Sequence, residues 1–208
     1  MGILLDVGTS NEDEKTSGML LSFKQTYYKS LLNTNESINY GMVQMSGGKY
    51  EMDYDRERCW YKAQCLDHDA VDVFQMLSDC ALEPKNLVAV NASIEKAKEA
   101  RRFYQENGQH FLFTDFAMRH MFEGPLQNPL LGDGKAIDKF EFGLVQKFQM
   151  ENVRTSGIVV AGTNVENHSE FVELADQHLG SLKFNVGDRS STKNKSKFAE
   201  GSFISFAE

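Results

Sequence analysis

Between Lys49 and Cys65 the side chains alternate with a period of two. Tyr50, Met52 and Tyr54 are interleaved with Lys49, Glu51, Asp53 and Asp55, and after Arg56-Glu57-Arg58 the alternation resumes through Cys59, Tyr61, Ala63 and Cys65. In an extended chain this period places the apolar groups on one face and the charges on the other. The segment therefore reads as an antiparallel hairpin with one face in a core and one in water. The inner face needs a covering layer, which the rest of the chain supplies at helical spacing.

Helical periodicity runs from about Gly18 to Leu32, with Leu21, Tyr28 and Leu32 near one face, and again from Ser37 to about Met45, ending at Gly47-Gly48. After the hairpin, Val71, Phe74, Leu77 and Ala81 define a helix that Asp67 or Asp69 is placed to cap and that stops before Pro84. Residues 92–122 read as two helices parted at Asn107-Gly108, followed by a loop from Gly124 to Gly134. A further helix carries Ile137, Phe140, Leu144, Val145 and Phe148 into the core. Asn167-His168-Ser169-Glu170 resembles a capping box ahead of Phe171, Leu174, Ala175 and Leu179. Two segments read as buried strands: Gly2–Val7 and Ser156–Gly162 (SGIVVAG). The expected fold is α+β, a mostly antiparallel sheet with helices packed on one face. It forms one domain from Met1 to about Leu182, followed by a polar linker with an edge strand near Ser202–Phe206.

The 208 residues include 22 Lys+Arg against 30 Asp+Glu, a formal net charge of −8, with the basic residues scattered. That distribution does not track a phosphate backbone, so no nucleic acid is expected. No apolar run approaches the ~18–20 residues that span a bilayer, so no direct membrane span is expected. The three cysteines, Cys59, Cys65 and Cys80, cannot all pair within one chain. Cys59 and Cys65 on one strand would lie about 20 Å apart, beyond disulfide reach, which favours a reducing compartment.

The residues offer little chemistry of their own. Asp67-His68-Asp69 places three potential ligands in sequence, but adjacent residues at a helix start diverge, so capping is the simpler role. His120 and Glu123 lack a second histidine to complete a zinc site. Gly132-Asp133-Gly134-Lys135 lacks the first glycine and the Ser/Thr of a phosphate loop and reads as a turn. A small independent hydrolase would have to draw on Glu99, His110 or His120.

Particular residues add a resemblance. LLDVGTSNEDEKTSG, YYKS, INYGMVQMSGGKYE and DRERCWYKAQCL, then LQNPLLGDGKAIDKF, SGIVVAGTNVENHSEFVELADQHLGSL and FAEGSF, resemble in order the amino-terminal half of pitrilysin-type zinc peptidases. The likeness is to the branch of mitochondrial processing peptidase subunits and core proteins of respiratory complex III, with NPLL leaning toward the alpha type. Active members carry H-x-x-E-H, two zinc ligands and a general base. On the frame of Gly18 and Lys29-Ser30 those positions fall on Leu21, Lys24 and Gln25, and the distal glutamate ligand near Arg101, with Glu99 close by. Leucine has no lone pair and the two cations repel a dication.

The resemblance thus implies a degenerate, non-catalytic subunit with no metal and no cofactor. It further implies a place on the matrix side of the mitochondrial inner membrane, as an alpha-type core subunit of the cytochrome bc1 complex or as the presequence-recognition subunit of a processing peptidase. Its partners would be a beta-type processing peptidase or core protein and other complex III subunits. Family members have one more strand ahead of Gly2–Val7 and a second, homologous domain after the linker. The expectation is a split gene or truncation, with a separate chain supplying the missing domain and pairing with an open sheet edge beside Gly2–Val7.

Overall fold

The expected hairpin is the centre of the sheet's organisation. The computed structural model describes residues 1–25, 47–82, 87–180 and 196–199. In it, strands β2 (Lys49–Tyr54) and β3 (Cys59–Gln64) pair antiparallel from Lys49↔Gln64 to Tyr54↔Cys59. Asp55 makes the turn: its Oδ1 accepts from the N–H groups of Glu57 (2.7 Å) and Arg58 (2.8 Å), the Asx geometry that lets a short side chain replace a backbone partner.

Strand β1 (Gly2–Leu5) pairs with β3 on one side and with β5 (Ile158–Ala161) on the other, giving the order β2-β3-β1-β5. All pairings are antiparallel. This corrects two expectations. The open edge is not beside β1, which is interior; among the described residues the edges are β2 and β5. Nor is SGIVVAG fully buried, because β5 is bonded on one side only and Val159, facing away from the helices, is 55% exposed. A short apolar run does not tell an edge strand from a central one.

Seven α-helices are described: α1 (Met19–Gln25), α2 (Ala70–Leu82), α3 (Leu87–Asn107), α4 (Gln109–Met121), α5 (Gly134–Ile137), α6 (Phe142–Asn152) and α7 (His168–Leu179). Helices α1 and α2 cover the sheet face formed by Ile3, Leu5, Tyr50, Met52, Cys59, Tyr61 and Ala63, all buried, and α3 packs on α1. Aromatic edges join the layers: Phe23 meets Phe148 at 6.1 Å between ring centroids and Phe74 meets Phe171 at 5.9 Å. The opposite face, with Leu4, Glu51, Asp53, Trp60, Lys62 and Val159, carries none of the buried core, and there the ammonium of Lys62 lies 5.4 Å from the Trp60 ring.

The helix break at Asn107-Gly108 falls where expected. The helix expected through Ile137 and Phe148 is two: the backbone leaves α5 through tight turns at Lys139 and Phe140, and Glu141 is extended before α6 begins. Asp67–Asp69 form a 3₁₀ turn running into α2, with no side-chain cap at its start. Asn167 caps α7 as expected: its Oδ1 accepts from Ser169 N–H (3.0 Å) and Glu170 N–H (3.4 Å), and its Nδ2 donates to Glu170 Oε1 (2.8 Å). Near the end of the described chain, β6 (Lys197–Phe198) returns to pair with β4 (Phe122–Glu123) as a separate two-stranded sheet. The helix expected over Ser37–Met45, the YYKS segment and the strand expected at Ser202–Phe206 lie outside the described residues.

Candidate functional site

Helix α1 starts against two interlocked loops. Gly18 (φ +97°) and Gly132 (φ +62°) meet back to back, and a Cβ on Gly132 would stand 2.2 Å from the Gly18 Cα. Only glycine fits both the positive φ and the approach. Glu12 closes the helix start: Oε2 accepts from Gly18 N–H (2.8 Å) and Oε1 from Leu20 N–H (2.9 Å). Burial pushes its carboxyl up to about 8, against the downward pull of those N–H groups.

The loop from Gly124 to Gly132 is held in turn by side chains far away in sequence. Asn128 Nδ2 donates to the carbonyls of Thr9 (2.7 Å) and Glu12 (2.8 Å), and Tyr54 O–H donates to Leu130 O (2.8 Å). Arg56, at the hairpin tip, donates from Nε to Leu126 O (3.0 Å) and from Nη2 to Asp115 Oδ1 (2.6 Å). Asp115 also accepts from Leu130 N–H (3.1 Å). Arg56 and Asp115 are both buried, so this is a desolvated pair with its remaining valences filled from the backbone.

Leu21, Lys24 and Gln25 lie on α1. Leu21 is 1% exposed and is core. The Lys24 ammonium bonds Asp53 Oδ1 on β2 at 2.8 Å and sits 5.9 Å from the Tyr54 ring centroid. Arg101, on α3, directs its guanidinium to Gly132 O (3.4 Å) and Gln105 Oε1 (3.5 Å) rather than to α1. A zinc site needs lone pairs and net negative charge at its centre. A hydrocarbon, an ammonium already engaged by a carboxylate and an amide do not fit that ion.

The other candidates are dispersed. His68 and Glu99 are exposed, His110 opens α4 and His120 ends it, and Asp133 caps α5 through Lys135 N–H (3.1 Å). Among the described residues no three His, Cys, Asp or Glu side chains converge as a metal site. The residues that organise this region, Glu12, Arg56, Asp115 and Asn128, were not singled out by the sequence. Only Glu12 had a signal, an acidic group just ahead of a helix start.

An antiparallel sheet backed by helices on one face, with the short helix α1 pinned beside the β2–β3 hairpin, defines an α+β domain. No protein-family model matches the chain. It is 26% identical over 183 residues to mitochondrial-processing peptidase subunit alpha of Solanum tuberosum, covering 88% of this chain and 36% of that protein. It is 24% identical over 196 residues to human cytochrome b-c1 complex subunit 1, mitochondrial, covering 90% of this chain and 39% of that protein. The crystal structure of a protease from Helicobacter pylori superposes with a TM-score of 0.80 at 18% identity, over 95% of this chain and 48% of that one, a likeness of fold. The chain is thus a homologue of processing-peptidase subunits and of a complex III core protein, and it fits the amino-terminal half of the pitrilysin-type family. It spans about two fifths of the length of the curated relatives it matches.

Proposed function

We propose that this protein is a non-catalytic, alpha-type core subunit of the mitochondrial cytochrome bc1 complex, acting as a scaffold on the matrix side of the inner membrane and needing no metal or cofactor of its own. The observation that carries the reading is Lys24. At the position where the family's general base would stand, an ammonium is locked to Asp53 at 2.8 Å, and the flanking Leu21 and Gln25 offer no zinc donor set. Shape and contact surface are what such a domain contributes. Its partners on this reading are a beta-type core protein and other complex III subunits. On this reading residues 1 to about 182 belong to one domain, and the linker and edge strand expected over 183–208 fall largely outside the described residues.

A second reading, the presequence-recognition subunit of a processing peptidase working with a catalytic beta subunit, is favoured by relatives named as alpha subunits of that enzyme, at 26% and 25% identity. Affinity purification of the tagged full protein from detergent-solubilised mitochondria separates the two. Haem-bearing subunits in the eluate support the core reading. A haem-free pair with a beta-type peptidase that binds presequence peptides supports the second, and a lone chain with peptidase activity overturns both.

A further inference from the structure

Helix α4 has apolar groups on two opposite sides. On one, Phe111 and Leu112 pack against the core and Asp115 is buried against Arg56. On the other, at the helical spacing i, i+3, i+4, i+7, i+8, stand Phe113, Phe116, Ala117, His120 and Met121. The described residues leave this second stripe open: Phe113 is 71% exposed and Met121 44%. It continues past the helix end into Phe198, also 71% exposed, whose ring centroid lies 4.8 Å from that of Phe122. A contiguous open apolar row of this kind is a contact surface rather than ordinary exterior.

Strand β6 brings the chain back to the end of this stripe, where Ala199 N–H donates to Met121 O (2.9 Å) and Leu126 N–H donates to Ser196 Oγ (3.0 Å). The nine residues that follow, 200–208, lie outside the described residues and carry Phe203, Ile204 and Phe206 between Glu200 and Glu208. From Met121 back to Phe113 is eight residues of helix, about 12 Å at ~1.5 Å each, well inside the ~30 Å that nine residues can reach. Charge points the same way. The exposed ionisable groups of α4 are His110, Arg119 and His120, and its one acid, Asp115, is paired with Arg56. A second copy would set these groups against themselves, whereas Glu200 and Glu208 oppose them in sign.

We propose that residues 200–208 dock on the outer stripe of α4 in their own chain, Phe203, Ile204 and Phe206 covering Phe113, Ala117 and Met121, with Glu200 toward Arg119 and Glu208 toward His110. The order of the charges follows from the attachment at Ala199, which puts the Arg119 end nearest. Tethering there makes the contact intramolecular, at an effective concentration of the order of millimolar, so a modest apolar contact suffices. The inference goes beyond the subunit reading and does not depend on it.

Disulfide cross-linking of the full chain tests it, with C65S removing the one cysteine that is not buried. Under mild oxidation by copper phenanthroline, A117C paired with S205C should close within one chain about tenfold faster or more than S169C paired with S205C, Ser169 being exposed on α7. F113D, at a position whose side chain is open, should leave the circular dichroism unchanged and slow the closure of the first pair about tenfold, the effect of losing one covered Phe. Equal rates for the two pairs, closure untouched by F113D, or a product joining two chains overturns the proposal.

Discussion

Arg56 and Asp115 are the most exacting pair of residues in the molecule. A buried pair contributes little when both charges are present and costs heavily when one is removed, because the other is left desolvated and alone. R56A or D115A should therefore lower the unfolding free energy by about 3–5 kcal/mol, read by urea denaturation. The double variant should cost less than the sum of the two, because Arg56 and Asp115 share one interaction. Glu12 makes a different demand. Its carboxyl, held near 8 by burial, starts from 4.5 in the unfolded chain, so the folded state holds the proton more tightly. The stabilisation is complete below pH 4.5 and is lost as pH rises through 8. Urea midpoints measured from pH 5 to pH 8.5 should fall for the wild type and flatten in E12Q; an unchanged slope in E12Q would show that another group titrates.

At the scale of elements, α1 depends on a backbone contact rather than on its own sequence. G132A places a Cβ against Gly18 and imposes a positive φ on alanine, so it should destabilise by about 2 kcal/mol or more, seen as a lower Tm with a shifted near-ultraviolet spectrum from Tyr54 and its neighbours. The same alanine at Gly143, where nothing stands within 4 Å and the residue lies inside α6, should be neutral or stabilising.

The sequence made the hairpin legible because a period of two interrupted by a polar turn at Arg56-Glu57-Arg58 is a local property, and the same holds for the Asn167 cap and the break at Gly108. It did not make the strand order legible: Gly2–Val7 and SGIVVAG are equally apolar, yet one is central and the other an edge, a difference set by pairing partners distant in the chain. The break between α5 and α6 was hidden for a related reason. Ile137, Phe140, Leu144 and Phe148 keep helical spacing across a turn, because both pieces face the same core. Arg56 read as one charge in a polar turn, and only the fold brings the α4 carboxylate to it.

For the whole molecule, among the described residues the sheet leaves two edges and one face without helices, and relatives of this fold are more than twice as long. Surfaces of this kind pair with other polypeptide. The isolated chain should self-associate at high concentration through β5, and V159K should suppress this in light scattering; association unaltered by V159K would move the contact elsewhere. The positions that the family resemblance marks for zinc chemistry, Leu21, Lys24, Gln25 and Arg101, come to this chain as a proposal, and the subunit reading depends on them. The most direct test equilibrates the purified full chain with excess zinc, removes the unbound ion by dialysis and measures what remains by mass spectrometry. The proposal predicts far less than one equivalent, with no change in K24A. One retained equivalent per chain, diminished by substitution at Gln25 or Glu99, would contradict it.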